Sequence, residues 1–311
     1  MQLSDLCIFT EPQQGASYDT LLAVAQRAEA LGFGGFFRSD HYLKMGDVSG
    51  LPGPTDAWVT LAGLARETTS IRLGTLVTPV TFRGPGLLAI SVAQVDQMSG
   101  GRIELGIGAG WYEAEHTAYG FEFAETGARF DNLTDQLAIL DGLWNTAVGE
   151  TFSYAGTVHS VSDSPGLPKP VQQPLPIIIG GGGPSRTPAL AARYASEFNV
   201  AFAPLDAFIE RKQRVEAACA AIDRQRPMRY SMALVVCAGA TEDDIVRRAA
   251  AIGRQPAELR QNGAAGSAHE TAATILRYVD EGAERVYLQI LDLSDLDHLD
   301  FIAGEVAPLL G

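Results

Sequence analysis

The sequence predicts an α/β fold, a (β/α)8 TIM barrel with insertions, and three observations point to it. Strand-like and helix-like segments alternate from end to end, eight strand-like runs can be counted, and no shift of composition divides the 311 residues into halves. A doubly wound open sheet is the rival arrangement, but such sheets rarely need eight units of this kind. One domain spanning residues 1–311 is therefore expected, with insertion segments at about 111–126, 149–176 and 253–268.

Leu6–Thr10 reads as the first strand. Tyr18–Leu31 follows as a helix, with Leu21, Leu22, Val24, Ala25 and Ala28 ahead of the stop signal at Gly32. Gly35–Arg38 is a short apolar run between glycine and small polar residues, the pattern of a buried parallel strand. Asp56–Thr68 is expected as a helix, Arg72–Thr78 as the third strand, and Pro85–Met98 as a helix with proline at its start. Arg102–Gly106 opens the fourth strand, and an irregular stretch is expected after the glycines that follow it. Arg129–Trp144 then carries Leu133, Leu137, Leu140 and Trp144 at helical spacing. Between Gly149 and Pro176 the alternation breaks, with a weak hairpin signal at Phe152–Val161, and this segment is expected to lie across the barrel. Ile177–Ile179, a helix from Pro188 to Tyr194, Phe198–Phe202, a helix from Leu205 to Asp223, Ser231–Cys237 and a helix from Glu242 to Ile252 resume the pattern. Gly253–Ser267 is expected as a mobile loop, before a helix at Glu270–Glu281, a strand at Arg285–Leu291 and a last helix from Leu296 to Leu309.

Composition bounds the function. Apolar residues make up 46% and charged residues 19%, ample for a buried core. Lys and Arg number 23 against 37 Asp and Glu, a net charge of −14 that repels nucleic acid, although a helix N-terminus or a few arginines can still hold a small anion. Cys7, Cys219 and Cys237 form no CxxC pair and are expected as reduced thiols of a cytoplasmic protein. The N-terminus has neither a basic nor a long apolar leader region, and no run reaches the roughly 18 to 20 apolar residues of a membrane helix.

Functional residues of a barrel come from strand C-terminal ends, which selects four stretches. Ser39, Asp40 and His41 end the second strand; alone they are a capped turn, but His41 at a barrel rim can give and take a proton, with Asp40 as its brace. Leu73–Pro79 holds a glycine and two threonines within a β-branched strand, either a plain strand end or a bulge where a flat ligand approaches. Gly106–Gly110, spaced GxGxG rather than GxGxxG, is no dinucleotide fingerprint, yet lets a ring lie on bare backbone. Gly180–Gly183 lies between a strand and a helix start, where free amides suit a phosphate, with Arg186 as a charged partner. His116, His159, His269 and His298 lack metal-ligand spacing, and no GxSxG elbow is present.

Taken together, FRSDHY, LGTLVTPVTFR, GGRIELGIGAGWYEAEH, GARFDNLTDQLAILDGLW, LPKPVQQPLPIIIGGGG and YASEFNV resemble the luciferase-like monooxygenase superfamily, specifically its deazaflavin-dependent oxidoreductases. The resemblance implies a luciferase-like TIM barrel whose cofactor is the 5-deazaflavin coenzyme F420 in some branches and FMN in others. It implies an oxidoreductase that moves a hydride between coenzyme F420 and a small organic substrate, with His41 and Asp40 as catalytic residues. Cofactor contacts would come from Ser39, from Thr75, Leu76 and Val77 at a non-prolyl cis peptide, and from Gly108, Ala109 and Gly110. Gly180, Gly181, Gly182, Gly183 and Arg186 would hold the phosphate, and a homodimer is implied. The alternatives are an FMN-dependent monooxygenase, which would need a flavin reductase and oxygen, and a non-catalytic flavin-binding protein. Two departures stand out: Tyr112 replaces a frequent asparagine, and no basic cluster surrounds Phe202–Pro204, which disfavours a sugar-phosphate substrate.

Overall fold

The computed structural model describes residues 1–311. In chain order the elements are β1 (Leu6–Thr10), α1 (Tyr18–Leu31), β2 (Gly35–Arg38), α2 (Ala57–Glu67), β3 (Arg72–Thr75), β4 (Thr78–Pro79), α3 (Pro85–Ser99) and β5 (Ile103–Gly108). There follow α4 (Glu113–Tyr119), α5 (Thr126–Asn145), β6 (Phe152–Ala155), β7 (Ser160–Ser164), β8 (Ile177–Gly180), α6 (Arg186–Tyr194), β9 (Glu197–Ala201) and α7 (Leu205–Ala221). The chain finishes with β10 (Arg229–Ala238), α8 (Glu242–Ala251), α9 (Pro256–Asn262), β11 (Ala264–Gly266), α10 (Ala268–Asp280), β12 (Arg285–Gln289) and α11 (Leu296–Phe301).

Eight parallel staves close a ring in the order β1, β2, β3, β5, β8, β9, β10, β12 and back to β1. Alternate residues explain the layers. Cys7, Phe9, Phe37, Ile178, Ala233 and Tyr287 pack into one buried cluster inside the barrel, while Leu6, Ile8, Phe36, Leu73 and Val286 join the larger core under the helices. Local chemistry sets the helix ends. Ser17 caps α1 by accepting from Thr20 N–H at 3.2 Å, and Gly32 ends it in the left-handed region at φ 94°. Asp56 caps α2 through the N–H groups of Trp58 and Val59.

At the N-terminal end of the barrel Arg285 on β12 donates to Glu104 of β5 at 2.6 Å and to Glu197 of β9 at 2.9 Å. Tyr287 Oη donates to Glu197 at 2.7 Å, so buried ion pairs plug this end of the barrel.

Four regions differ from expectation. The stretch after Gly110 contains α4, with Glu113 and Glu115 in its first turn and Gly120 ending it at φ 73°. Gly253–Ser267 is ordered into α9, opened by Pro256, and β11, which pairs with β10 outside the ring. The hairpin of β6 and β7 lies along α5 rather than across the barrel. Asp135 of α5 accepts from Tyr154 Oη at 3.0 Å and from the backbone N–H groups of Val158 at 2.6 Å and His159 at 3.0 Å. The last helix also breaks at Phe301 into a wider turn, Ile302–Val306, and a tight one, Ala307–Leu310.

His298 on α11 gives the barrel a pH dependence. Its Nε2 accepts from Ala238 N–H at 3.0 Å, and burial, with Arg248 beside it, depresses the imidazole to about 3. The unfolded ring, with its ordinary value of 6.5, binds a proton that the folded ring refuses. Stability present above that value is therefore lost as pH falls toward the folded value. Urea unfolding should show His298 removing roughly 2 kcal/mol between about pH 6.5 and about pH 5, and His298→Gln should flatten that slope. An identical slope in the variant would contradict the assignment.

Candidate active site

The end of β2 sets the centre of the site. The barrel's C-terminal rim receives Ser39, Asp40 and His41 directly from the strand, and Ser39 and Asp40 are buried. Ser39 Oγ donates to Gln13 Oε1 at 2.8 Å, whereas Gln13 Nε2 is buried with no partner. Asp40 accepts from Thr78 Oγ1 at 2.9 Å and from Arg83 Nη1 at 2.6 Å. Arg83 also donates to Tyr42 Oη at 2.7 Å and pairs with Asp56, so Asp40 belongs to a charged network under the rim.

Asp40 is therefore not the brace of His41. That role falls to Glu115 in the first turn of α4: His41 Nδ1–H donates to Glu115 Oε1 at 2.9 Å, and Tyr42 N–H donates to Glu115 Oε2 at 2.9 Å. The Glu115 side chain is 1% exposed and that of His41 is 15% exposed. Holding Nδ1–H fixes the tautomer and leaves Nε2, which bonds to no protein group, to accept a proton. Glu11, just beyond β1, is pushed above the usual carboxylate range by burial. The rings of Trp111 and Tyr112 stand edge-on to His41 with centroids at 5.7 and 6.1 Å.

A wall of bare backbone forms where two strands meet. β3 stops at Thr75, the Leu76–Val77 peptide is cis, and the strand resumes as β4 against β5. Thr75 Oγ1 donates to Gly106 O at 2.8 Å, and a Cβ at Gly106 would overlap the Thr75 carbonyl. A Cβ on Gly108 would stand 3.1 Å from Val77 Cγ2, and Gly110 turns the chain at φ 80°. Thr75, Leu76, Val77, Gly108, Ala109 and Gly110 thus share one wall.

The second glycine segment follows β8. None of the amides of Gly181, Gly182 and Gly183 donates to the protein. Arg186 is turned away from this loop: its Nη2 pairs with Asp131 of α5 at 2.6 Å and its Nη1 donates to Gly127 O at 3.1 Å. Arg211 of α7 stands there instead, its Cζ 3.1 Å from where a Gly182 Cβ would be, and it forms no hydrogen bond or ion pair of its own. Sequence reasoning missed Glu115 and Arg211. An acid in a helix's first turn was the available signal for Glu115; nothing local marks Arg211.

Phe202, the residue after β9, is held at φ 49° with its N–H donating to Ala233 O at 2.9 Å. A bulky side chain in this region costs on the order of 1–3 kcal/mol.

A protein of Microbacterium testaceum described as F420-dependent glucose-6-phosphate dehydrogenase is 36% identical over 179 residues, 57% of this chain and 51% of that protein. Pyrimidine monooxygenase RutA of Stutzerimonas stutzeri is 29% identical over 228 residues, 68% of this chain and 59% of that protein. The chain thus spans only about half to three-fifths of either relative's length. Among solved structures, an F420-dependent secondary alcohol dehydrogenase in complex with an F420-acetone adduct superposes with a TM-score of 0.81 at 19% identity, covering 98% of each chain, and so shares the fold. The luciferase-like monooxygenase family profile matches residues 4–293. With the barrel and its rim as described, the chain belongs to the luciferase-like monooxygenase family.

Proposed function

We propose that the protein is an oxidoreductase that exchanges a hydride between the deazaflavin coenzyme F420 and a small organic substrate. The observation that carries this reading is the His41–Glu115 pair beside a bare-backbone wall and a glycine loop with a free arginine. These residues fit the coenzyme: Gly108 and Gly110 offer bare backbone beside Val77 and Thr81, the unpaired amides and Arg211 suit an anion, and the orphaned Gln13 Nε2 offers a buried donor. Bound there, the deazaflavin supplies a two-electron hydride acceptor or donor. His41 Nε2 takes the hydroxyl proton as an alcohol becomes a carbonyl compound, and returns it in the reverse direction. Glu115 stabilises the imidazolium and holds its orientation. Thr75–Val77 would back the ring, Gly108–Gly110 would contact it, and Gly180–Gly183 with Arg211 would hold the phosphate.

FMN-dependent monooxygenation is the second reading, supported by the similarity to pyrimidine monooxygenase RutA. Oxygen-free incubation of the protein with oxidised coenzyme F420 and a panel of alcohols separates the two. Loss of the coenzyme's visible absorbance supports the proposal. Oxygen uptake with reduced FMN, and no exchange with the deazaflavin, would overturn it.

Arg211→Ala should weaken coenzyme binding by about 10- to 100-fold, the loss of one charge-assisted contact of about 1.5–3 kcal/mol. Thermal stability should stay constant, because Arg211 has no internal partner; calorimetric titration and melting check both halves.

A homodimer is also proposed, supported by Val59 on α2 and Leu87 and Ile90 on α3, apolar side chains that neighbouring helices leave exposed. Cytoplasmic residence is supported by three cysteines that form no disulfide. No helix is long and apolar enough to cross a membrane.

A further inference from the structure

Trp111 is 65% exposed on the loop leaving β5, stacked on Tyr112 with centroids 5.2 Å apart and edge-on to His41. Nothing in the protein covers its outer face, although the two other tryptophans, Trp58 and Trp144, are only 4% and 5% exposed. Phe202, 47% exposed on the loop leaving β9, leans over the barrel with its ring 6.2 Å from Phe9. Phe9 in turn packs in one cluster with Leu76 and Val77, so this aromatic surface adjoins the same rim. A strained backbone that presents a half-exposed aromatic ring adds little to folding; its value is to whatever rests on the ring.

Charge at the rim narrows the occupant further. Arg83 is engaged by Asp40 and Asp56, and Arg38 is buried among oxygens of Ser39, Thr55, Asp56 and Thr60. Lys44 Nζ donates to the carbonyls of Gly46 and Val48. Arg211 stands at the glycine loop, where the coenzyme's phosphate would use it. What holds His41 is acidic, the Glu115 carboxylate 2.9 Å from Nδ1. An anionic substrate would meet the Glu115 carboxylate beside His41, and Lys44, a cation there without a carboxylate partner, is tied to two backbone carbonyls.

We infer that the substrate is an uncharged apolar molecule with an aromatic or other planar face, which packs on Trp111 beside His41, with the Phe202 ring completing the apolar rim. This deepens the proposed oxidoreductase reading and rests on it for the reaction, but not for binding. The placement follows from aromatic stacking, which favours offset and edge-on arrangements and tolerates many planar partners.

Trp111 is the exposed tryptophan, so collisional quenching of tryptophan emission by acrylamide reads its surface. With 1-indanol as the neutral probe and glucose 6-phosphate as the charged one, each with and without coenzyme F420, 1-indanol should lower the quenching slope at least two-fold and glucose 6-phosphate should leave it unchanged. By ligand-observed NMR, Trp111→Ala should weaken 1-indanol about three- to ten-fold and Trp111→Phe should restore it, while coenzyme affinity stays constant in both. Protection by glucose 6-phosphate, or equal 1-indanol affinity in the alanine and phenylalanine variants, overturns the inference. If 1-indanol protects Trp111 while coenzyme F420 does not bind at all, the substrate class stands and the coenzyme assignment falls.

Discussion

Replacing His41 with alanine should lower turnover by about 10² to 10⁴ while leaving the affinity for coenzyme F420 within a few fold. The size of the effect follows from the tasks concentrated on one ring. His41 Nδ1–H is committed to Glu115 at 2.9 Å, so Nε2 alone faces the proton transfer, and the 15% exposure of the side chain leaves it within reach of a substrate. No second imidazole waits nearby, because His116 is buried between Thr81 Oγ1 and the Tyr112 carbonyl, each at 2.7 Å. Steady-state kinetics with a coenzyme titration on the same preparation tests both halves of the expectation. Collapsed coenzyme affinity with unaltered single-turnover hydride transfer would make His41 a binding residue and sink the assignment.

The second large effect is on stability. Arg83→Met should cost about 3–5 kcal/mol, because it strips the fully buried Asp40 of its charged partner and weakens the hold on Asp56. Thr78 Oγ1 would remain as the neutral donor to the Asp40 carboxylate, too little to offset an unpaired buried charge. Adding Asp40→Asn to Arg83→Met removes that charge and should recover a large part of the loss, so the two changes are strongly non-additive. Denaturant unfolding at constant m-value measures this cycle. Additive costs would mean that the network is not one unit.

The two effects separate what the sequence makes legible from what it hides. β1, α1 and β2 coincide with their expected bounds because glycine, serine and apolar periodicity mark their ends within a few residues. The first glycine segment was legible for the same local reason, since backbone this close to Thr75 and Val77 admits no side chain, and the second because a run of four glycines between a strand and a helix start marks itself. Contacts made across the sequence were not. Glu115 meets His41 over 74 positions and Arg83 meets Asp40 over 43, and neither pairing follows from spacing. Asp40 was the nearer carboxylate in sequence, yet a strand end sends neighbouring side chains to opposite sides, so it went beneath the rim while His41 stayed on it. Arg186 was captured by Asp131 for an equally non-local reason. Short helices were lost too, since α4 and α9 have only two turns in which to show a period.

The most direct test of the account is an equilibrium titration of the purified protein with oxidised coenzyme F420 and, separately, with FMN, followed by the change in each chromophore's spectrum. Saturable binding of coenzyme F420 that weakens in Arg211→Ala is expected, with binding of FMN at least tenfold weaker. Tight binding of FMN, with no saturable change on adding coenzyme F420, would contradict it.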